Sequence, residues 1–410
     1  MKIYIVLSFY LIWLSSCWSQ SSSLQPATNP ELTEDLNQLI YNLKHKYIYA
    51  SDKQVDFSCL ERIYSAQLGL VKTEEEANLL FEILLDEFYD SHVTLNANWP
   101  SSYRLHAPLY LSYTGDQLIV SQVWTSQIDG PGKNIIGAEV RSFNGINIEE
   151  AITSFPTACH DKTDSEVREW LANKLIAGRY NEPRLLELLM PDHSSLKVDI
   201  DNINIHQSDQ QLSVSRVKDI AIVRINNALG ENDLILRFDT ALDSLMDTEG
   251  LILDLRNTVS GGNSYVARGI MGRFVTTMEG YQIHSSMEHY DAGPAIERRW
   301  MEYVSSRGVT YDKPVVILVG RWTGSMGEGL AIGMEAAAGA TVMGTEMERL
   351  AGGMYDFSFA HRNFGYQLAM EKIYHVNGLA RESYIPDFYF TQRTNLKDEL
   401  LDSAIQSLQY

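Results

Sequence analysis

Positive charge is scarce in this sequence: 33 lysines and arginines stand against 53 aspartates and glutamates, a formal net charge of -20 over 410 residues. A surface that negative repels phosphate backbones, and no basic run offsets it, which argues against nucleic-acid binding. Cysteine is nearly absent as well. Cys17, Cys59 and Cys159 are the only ones, and with no Cys-x-x-Cys pair and no His/Cys cluster a structural zinc site has no donors. A membrane-spanning helix needs about 20 apolar residues, and no run of that length occurs. Residues 3–14 come nearest: they are apolar and uncharged, follow Lys2, and lead into Ser15, Ser16, Cys17 and a polar stretch. That is the layout of a secretory signal peptide over 1–20.

Leu14-Ser15-Ser16-Cys17 resembles a bacterial lipobox, whose cysteine is diacylated and becomes the mature N-terminus. Cleavage before Cys17 then gives a periplasmic or outer-membrane-attached lipoprotein, and simple cleavage near Gln20 gives a secreted one. Either way the chain is expected to be exported. Cys59 and Cys159 then remain as an even pair in an oxidising compartment, where a disulfide and two buried thiols are both open readings.

A chain of this length holds two or three domains. Residues 21–31 are rich in Ser, Pro, Asn and Gln and read as a tether. From 32 to 102 the pattern is helical: Leu36, Leu39, Ile40 and Leu43 recur at helix spacing, as do Leu79, Leu80, Ile83, Leu84 and Phe88. Thr73 followed by Glu74, Glu75 and Glu76 predicts a helix start. Residues 103–200 carry short strand-like runs at 109–111, 118–120 and 138–140. The phrase 136–145, ending in Asn144-Gly145, resembles the carboxylate-binding strand and turn of PDZ domains, with a helix predicted over 148–155. Residues 201–410 alternate strands and helices, as an α/β layer does. Strands are predicted at 220–225, 251–255, 315–319 and 341–343, and helices over 234–245, 265–274 and 326–338.

Ser325 stands between a buried strand and a helix rich in Gly and Ala, where helix N–H groups and the dipole face a reacting oxygen. By itself it reads as well as a plain N-cap. Thr323 breaks the Gly-x-Ser-x-Gly pattern and weakens an α/β-hydrolase reading. A second strand-to-helix passage, 254–262, closes in Gly261-Gly262, whose backbone N–H groups can approach a ligand. One of the two glycines and the Met326 N–H are the candidate halves of an oxyanion hole.

Asp254-Leu255-Arg256-Asn257 with Gly261-Gly262, then 313–319 and Ser325 with Glu328 three residues on, resemble the tail-specific (carboxyl-terminal processing) serine peptidase family. The resemblance spans about 81–387 and is densest over 251–274 and 314–353. It implies an α/β, Clp protease/crotonase-like core with an N-terminal helical domain and an inserted PDZ-like β domain. It also implies Ser325 as nucleophile and Met326 with Gly261 or Gly262 as oxyanion donors. Bacterial members use a Ser–Lys dyad, but the matching stretch 343–353 has no lysine, and Arg349 stays protonated. The related tricorn core uses histidine and glutamate, in segments similar to Leu84 through Ser91-His92 and to Arg381-Glu382 through Pro386-Asp387. His92 is then the expected general base, and Glu382 its orienting carboxylate, directly or through Ser91. His375 and Lys372 are the rivals.

A serine peptidase without metal or organic cofactor is thus expected, gripping an extended peptide by its C-terminus through strand addition to the PDZ-like segment. Its activity is expected to rise through roughly pH 6 to 7.5. Crotonase-like thioester chemistry and an inactive peptide-binding protein of the same fold are the alternatives. Export argues against the first, because CoA is cytoplasmic.

Overall fold

The first described residue, Asn29, already begins the structure, a computed structural model that describes residues 29–129, 132–206, 208, 210–290 and 293–409. The signal segment, Cys17 and most of the tether lie outside the described residues. The Asn29 side chain accepts from the Glu31 and Leu32 N–H groups and Pro30 takes the first helical position, so α1 (Pro30–His45) starts ahead of its leucine repeat. Asp56 caps α2 (Phe57–Leu68). The Thr73 and Glu76 side chains form a capping box on α3 (Glu74–Asp86).

The insert holds β1 (Leu109–Thr114), β2 (Gln117–Val123), β3 (Glu139–Phe143), β4 (Ile146–Asn147), α4 (Ile148–Thr153), α5 (Ser165–Ala177), β5 (Leu185–Leu189) and β6 (Ser195–Asp199). Its antiparallel sheet runs β1-β2-β3-β5-β6, with β4 on β3. Asn144 and Gly145, at φ 50° and 82°, make the tight β3–β4 turn that the Asn-Gly pair predicts. The outer edge of β1 is occupied: the Asn173 amide on α5 accepts from the Leu111 N–H and donates to the Leu111 C=O, both at 2.9 Å. A peptide adding to that edge has to displace α5.

The core comprises β7 (Leu212–Val217), β8 (Ile220–Ile225), α6 (Leu234–Asp243), β9 (Gly250–Asp254), α7 (Ser264–Met271), β10 (Glu279–Glu288), β11 (Ile296–Val304), β12 (Val315–Val319), α8 (Met326–Ala338), β13 (Thr341–Gly344), β14 (Gly353–Ser358), β15 (Gly365–Tyr374), β16 (Phe388–Tyr389) and α9 (Glu399–Ser407). Its main sheet has the order β16-β13-β12-β9-β8-β7, parallel except at β7. Strand alternation splits the apolar side chains. Leu251, Leu253, Ile317 and Val319 pack with residues of α6, α7 and α8, while Ile252, Val316 and Leu318 pack with Leu400 and Ala404 of α9.

A second, antiparallel sheet runs β11-β10-β15-β14. Tyr366, Leu368 and Ala369 of β15 share one buried cluster with Leu36, Leu39, Phe81 and Leu84 of the N-terminal helices. The helical layer is therefore completed by strands from the far end of the chain. A disulfide joins Cys59 on α2 to Cys159 after α4 and so ties that layer to the insert.

Candidate active site

β12 ends at Val319 and the chain turns through 320–325 into α8. Ser325 sits at φ 49° and ψ -112°, a backbone region that costs a non-glycine residue roughly 1–3 kcal/mol and persists only when its surroundings enforce it. The enforcement is visible. Glu328 Oε2 accepts from the Ser325 N–H at 3.0 Å, and the Gly324 N–H donates to Thr258 O at 2.9 Å. Buried Thr323 donates its hydroxyl to Leu255 O at 3.0 Å and accepts from the Gly320 N–H at 3.1 Å. The residue that breaks the Gly-x-Ser-x-Gly pattern thus anchors the same kind of strained strand-to-helix turn through its hydroxyl.

The glycine pair lies against this turn. A Cβ on Gly261, at φ 65°, would fall 2.4 Å from Ser325 Cβ and 3.1 Å from Met326 N. Gly262, at φ 142°, forms a parallel bridge with Leu229, in which the Leu229 N–H donates to Gly261 O and the Asn263 N–H to Leu229 O. In such a bridge the N–H of Gly262 itself points away from Leu229. Met326 opens α8, so its N–H is one of the helix's orphan donors, at the positive end of the dipole.

His92 arrives from another layer. The next residues are stitched to β15: the Gln367 N–H donates to Thr94 O, and the Asn96 N–H to Gly365 O. The Asp90 carboxylate accepts from the His92 N–H at 3.0 Å and from the Tyr47 hydroxyl at 2.7 Å. His92 Nδ1 lies 3.0 Å from Ala351 O. A carbonyl oxygen only accepts, so Nδ1 carries the proton and Nε2 keeps its lone pair, the tautomer a general base needs. Burial pushes the imidazole down to about 4; Arg381 adds to this, while Asp90 and the Ala351 bond oppose it. It is therefore neutral at pH 7, and the acid limb expected near pH 6 to 7.5 moves lower. Among the described residues no hydrogen bond joins His92 to Ser325. Catalytic hydrogen bonds commonly tighten only with substrate in place.

Segment 348–352 links the two residues. The Arg349 N–H donates to Glu328 Oε1 at 2.9 Å, and Ala351 holds His92. Arg381, 2% exposed, donates to Leu350 O and Gly352 O at 2.9 Å each and lies 3.8 Å from Glu328 Oε2. Burial raises the Glu328 carboxyl to about 7, against the pull of Arg381 and its two backbone donors. Burial, with Glu328 second, raises Glu348 well above the usual range.

Glu382 and Ser91 stand elsewhere than the resemblance implies. The orienting partner of His92 is the Ala351 carbonyl. Glu382 faces Tyr49, whose hydroxyl is pushed up by burial and then by Glu382, and its main-chain oxygen accepts from Arg349 Nε at 2.9 Å. Ser91 Oγ accepts from Trp170 Nε1 at 3.1 Å and so bridges to the insert; among the described residues no hydrogen bond joins it to His92 or Glu382. The rivals have partners of their own. His375 lies 3.7 Å from Glu335, ten residues along α8 from Ser325 and so about 15 Å down its axis. Lys372 pairs with Asp52 at 2.5 Å. Among the described residues no group of His, Cys, Asp and Glu has the arrangement of a metal site. A carbonyl such as that of Ala351 has no side-chain signature, so sequence reasoning had no means of finding it. Asp90, two residues before His92, was in plain view.

Residues 219–389 match the family model of peptidase family S41. That match marks the chain as a serine-type peptidase, and the matched span takes in the glycine pair, Ser325, the 348–352 segment and Glu382. Among solved structures, mature CPAF superposes with a TM-score of 0.63 at 12% identity, covering 92% of this chain and 98% of its own. The photosystem II D1 C-terminal processing protease gives 0.52 at 14% identity, covering 93% and 97%. At such identities the likeness concerns the fold, which extends across the helical layer and the insert. No curated protein sequence matches.

Proposed function

We propose that this S41 peptidase cleaves peptide bonds through an acyl-enzyme on Ser325, with His92 as general base. Ser325 Oγ attacks the substrate carbonyl carbon while His92 Nε2 takes the hydroxyl proton. The N–H groups of Met326 and Gly262 hold the resulting oxyanion. Collapse breaks the C–N bond, and the imidazolium returns its proton to the departing amine. Water then repeats the sequence on the ester. Glu382 supports the site through its main-chain oxygen on Arg349, and the Ala351 carbonyl fixes the ring.

The observation that carries this reading is segment 348–352, which bonds at once to the Ser325 turn, through Glu328, and to His92 Nδ1. A polar cleft of about 330 Å³ between insert and core is lined by Arg321 and Arg349, the latter in the segment that holds His92. Export fits the Cys59–Cys159 disulfide, a bond that persists in oxidising compartments. No observation favours the thioester reading.

Fluorophosphonate labelling with mapping of the modified residue tests the assignment. Label is expected on Ser325, and Ser325→Ala is expected to lose several orders of magnitude in rate with its thermal transition nearly unchanged. Label on another residue, or undiminished hydrolysis by the variant, sinks it.

A further inference from the structure

The two oxyanion donors sit on separate turns, and their spacing decides how well a tetrahedral oxygen is held. From the inside the turns are joined by Thr323 Oγ1 to Leu255 O and by the Gly324 N–H to Thr258 O. From the outside both are gripped by one side chain of the insert. Trp124, 5% exposed, shares its indole N–H between Arg256 O and Asn257 Oδ1, each at 3.0 Å, on the segment leading to Gly261. Its ring stacks on Trp322, three residues before Ser325, with centroids 5.2 Å apart and planes within 2°. Trp322 in turn donates to Ala107 O of the insert at 2.9 Å. Ser126 adds a hydroxyl bond to Asn257 Oδ1 at 2.8 Å, and the Asn257 amide reaches Gln127.

We propose that Trp124 is a positioning residue that sets the distance between the Gly262 and Met326 N–H donors, so that the insert forms the outer wall of the oxyanion hole. This rests on the peptidase reading above. No hydrogen bond or ring contact joins Trp124 to Ser325 or Gly261. Loss of the indole N–H leaves the Arg256 carbonyl and Asn257 Oδ1 short of a donor in a buried place and frees the two turns to drift apart. Donors displaced in this way weaken the transition state more than the bound substrate, so kcat falls and KM holds.

Trp124→Phe keeps a ring against Trp322 and deletes the N–H. Both kcat on a peptide substrate and the rate of fluorophosphonate capture at Ser325 are expected to fall about 10- to 100-fold, with KM within about twofold of wild type. Ser126→Ala, which removes the second donor to the same oxygen, is expected to show the same pattern more weakly. Capture by both variants at the wild-type rate, or a loss confined to KM, overturns the positioning role. A wild-type chain that captures no probe overturns the peptidase reading, and this role with it.

Discussion

Lowering the pH of a peptidase assay from 7 to 5 separates a buried histidine base from an ordinary one. An imidazole at 6.5 is neutral in only about 3% of molecules at pH 5, whereas one at about 4 is neutral in about 90%. The neutral form is the one that accepts a proton from Ser325, so kcat/KM tracks that fraction. Burial of His92 therefore predicts near-full kcat/KM at pH 5 and an acid limb centred near pH 4. The same shift acts on stability. The folded value lies below the unfolded one, so the unfolded chain takes up the proton first as pH falls. Stability drops from about pH 6.5 downward and levels off near pH 4. Circular dichroism at each pH separates this loss from the catalytic limb, and His92→Ala is expected to abolish the limb with most of the rate. A limb centred at 6.5 or above refutes the effect of burial. A profile still climbing through about pH 9, with His92→Ala unaffected, refutes the base itself and points to a lysine.

Gly261→Ala places a methyl 2.4 Å from Ser325 Cβ on a backbone at φ 65°, so capture of fluorophosphonate is expected to vanish while the far-ultraviolet spectrum persists; capture at the wild-type rate contradicts the packing. Intact-mass analysis of the mature chain is expected to find it starting at an acylated Cys17, held firmly to membranes by two or three acyl chains where one would hold it only marginally. A lipid-free product starting near Ser21 means ordinary secretion.

Periodicity reads the main sheet well because its strands are buried on both faces and its helices on one. The helix predicted over 326–338 is α8 itself, and the strand predicted over 315–319 is β12. The sheet β11-β10-β15-β14 has no such signal: Glu297, Arg298 and Arg299 in β11 and Glu371 and Lys372 in β15 interrupt any apolar alternation. In the site, Ser325 and Gly261-Gly262 were legible as two strand-to-helix turns. His92 came only from a resemblance, because its placement depends on a pairing with β15 that no local pattern announces. Glu382 and Ser91 had the positions of functional residues in the sequence, but the tertiary path turns them toward Tyr49 and Trp170. Trp124 had no signal, since a lone Trp reads as core, and Asn257 was legible only as the last residue of the 254–257 motif, without its tie to the insert.

The bond from His92 to Ala351 spans 259 residues of sequence. Contacts that distant form late, after the intervening chain has closed its loops. The stitching of 94–96 onto β15 carries the same requirement, so a chain emerging from its N-terminus holds His92 long before it holds a strand to dock it on. On the proposed reading, Ser325, made later still, would meet its proton acceptor only once the second sheet closes, and the order of folding would withhold activity until the chain is whole.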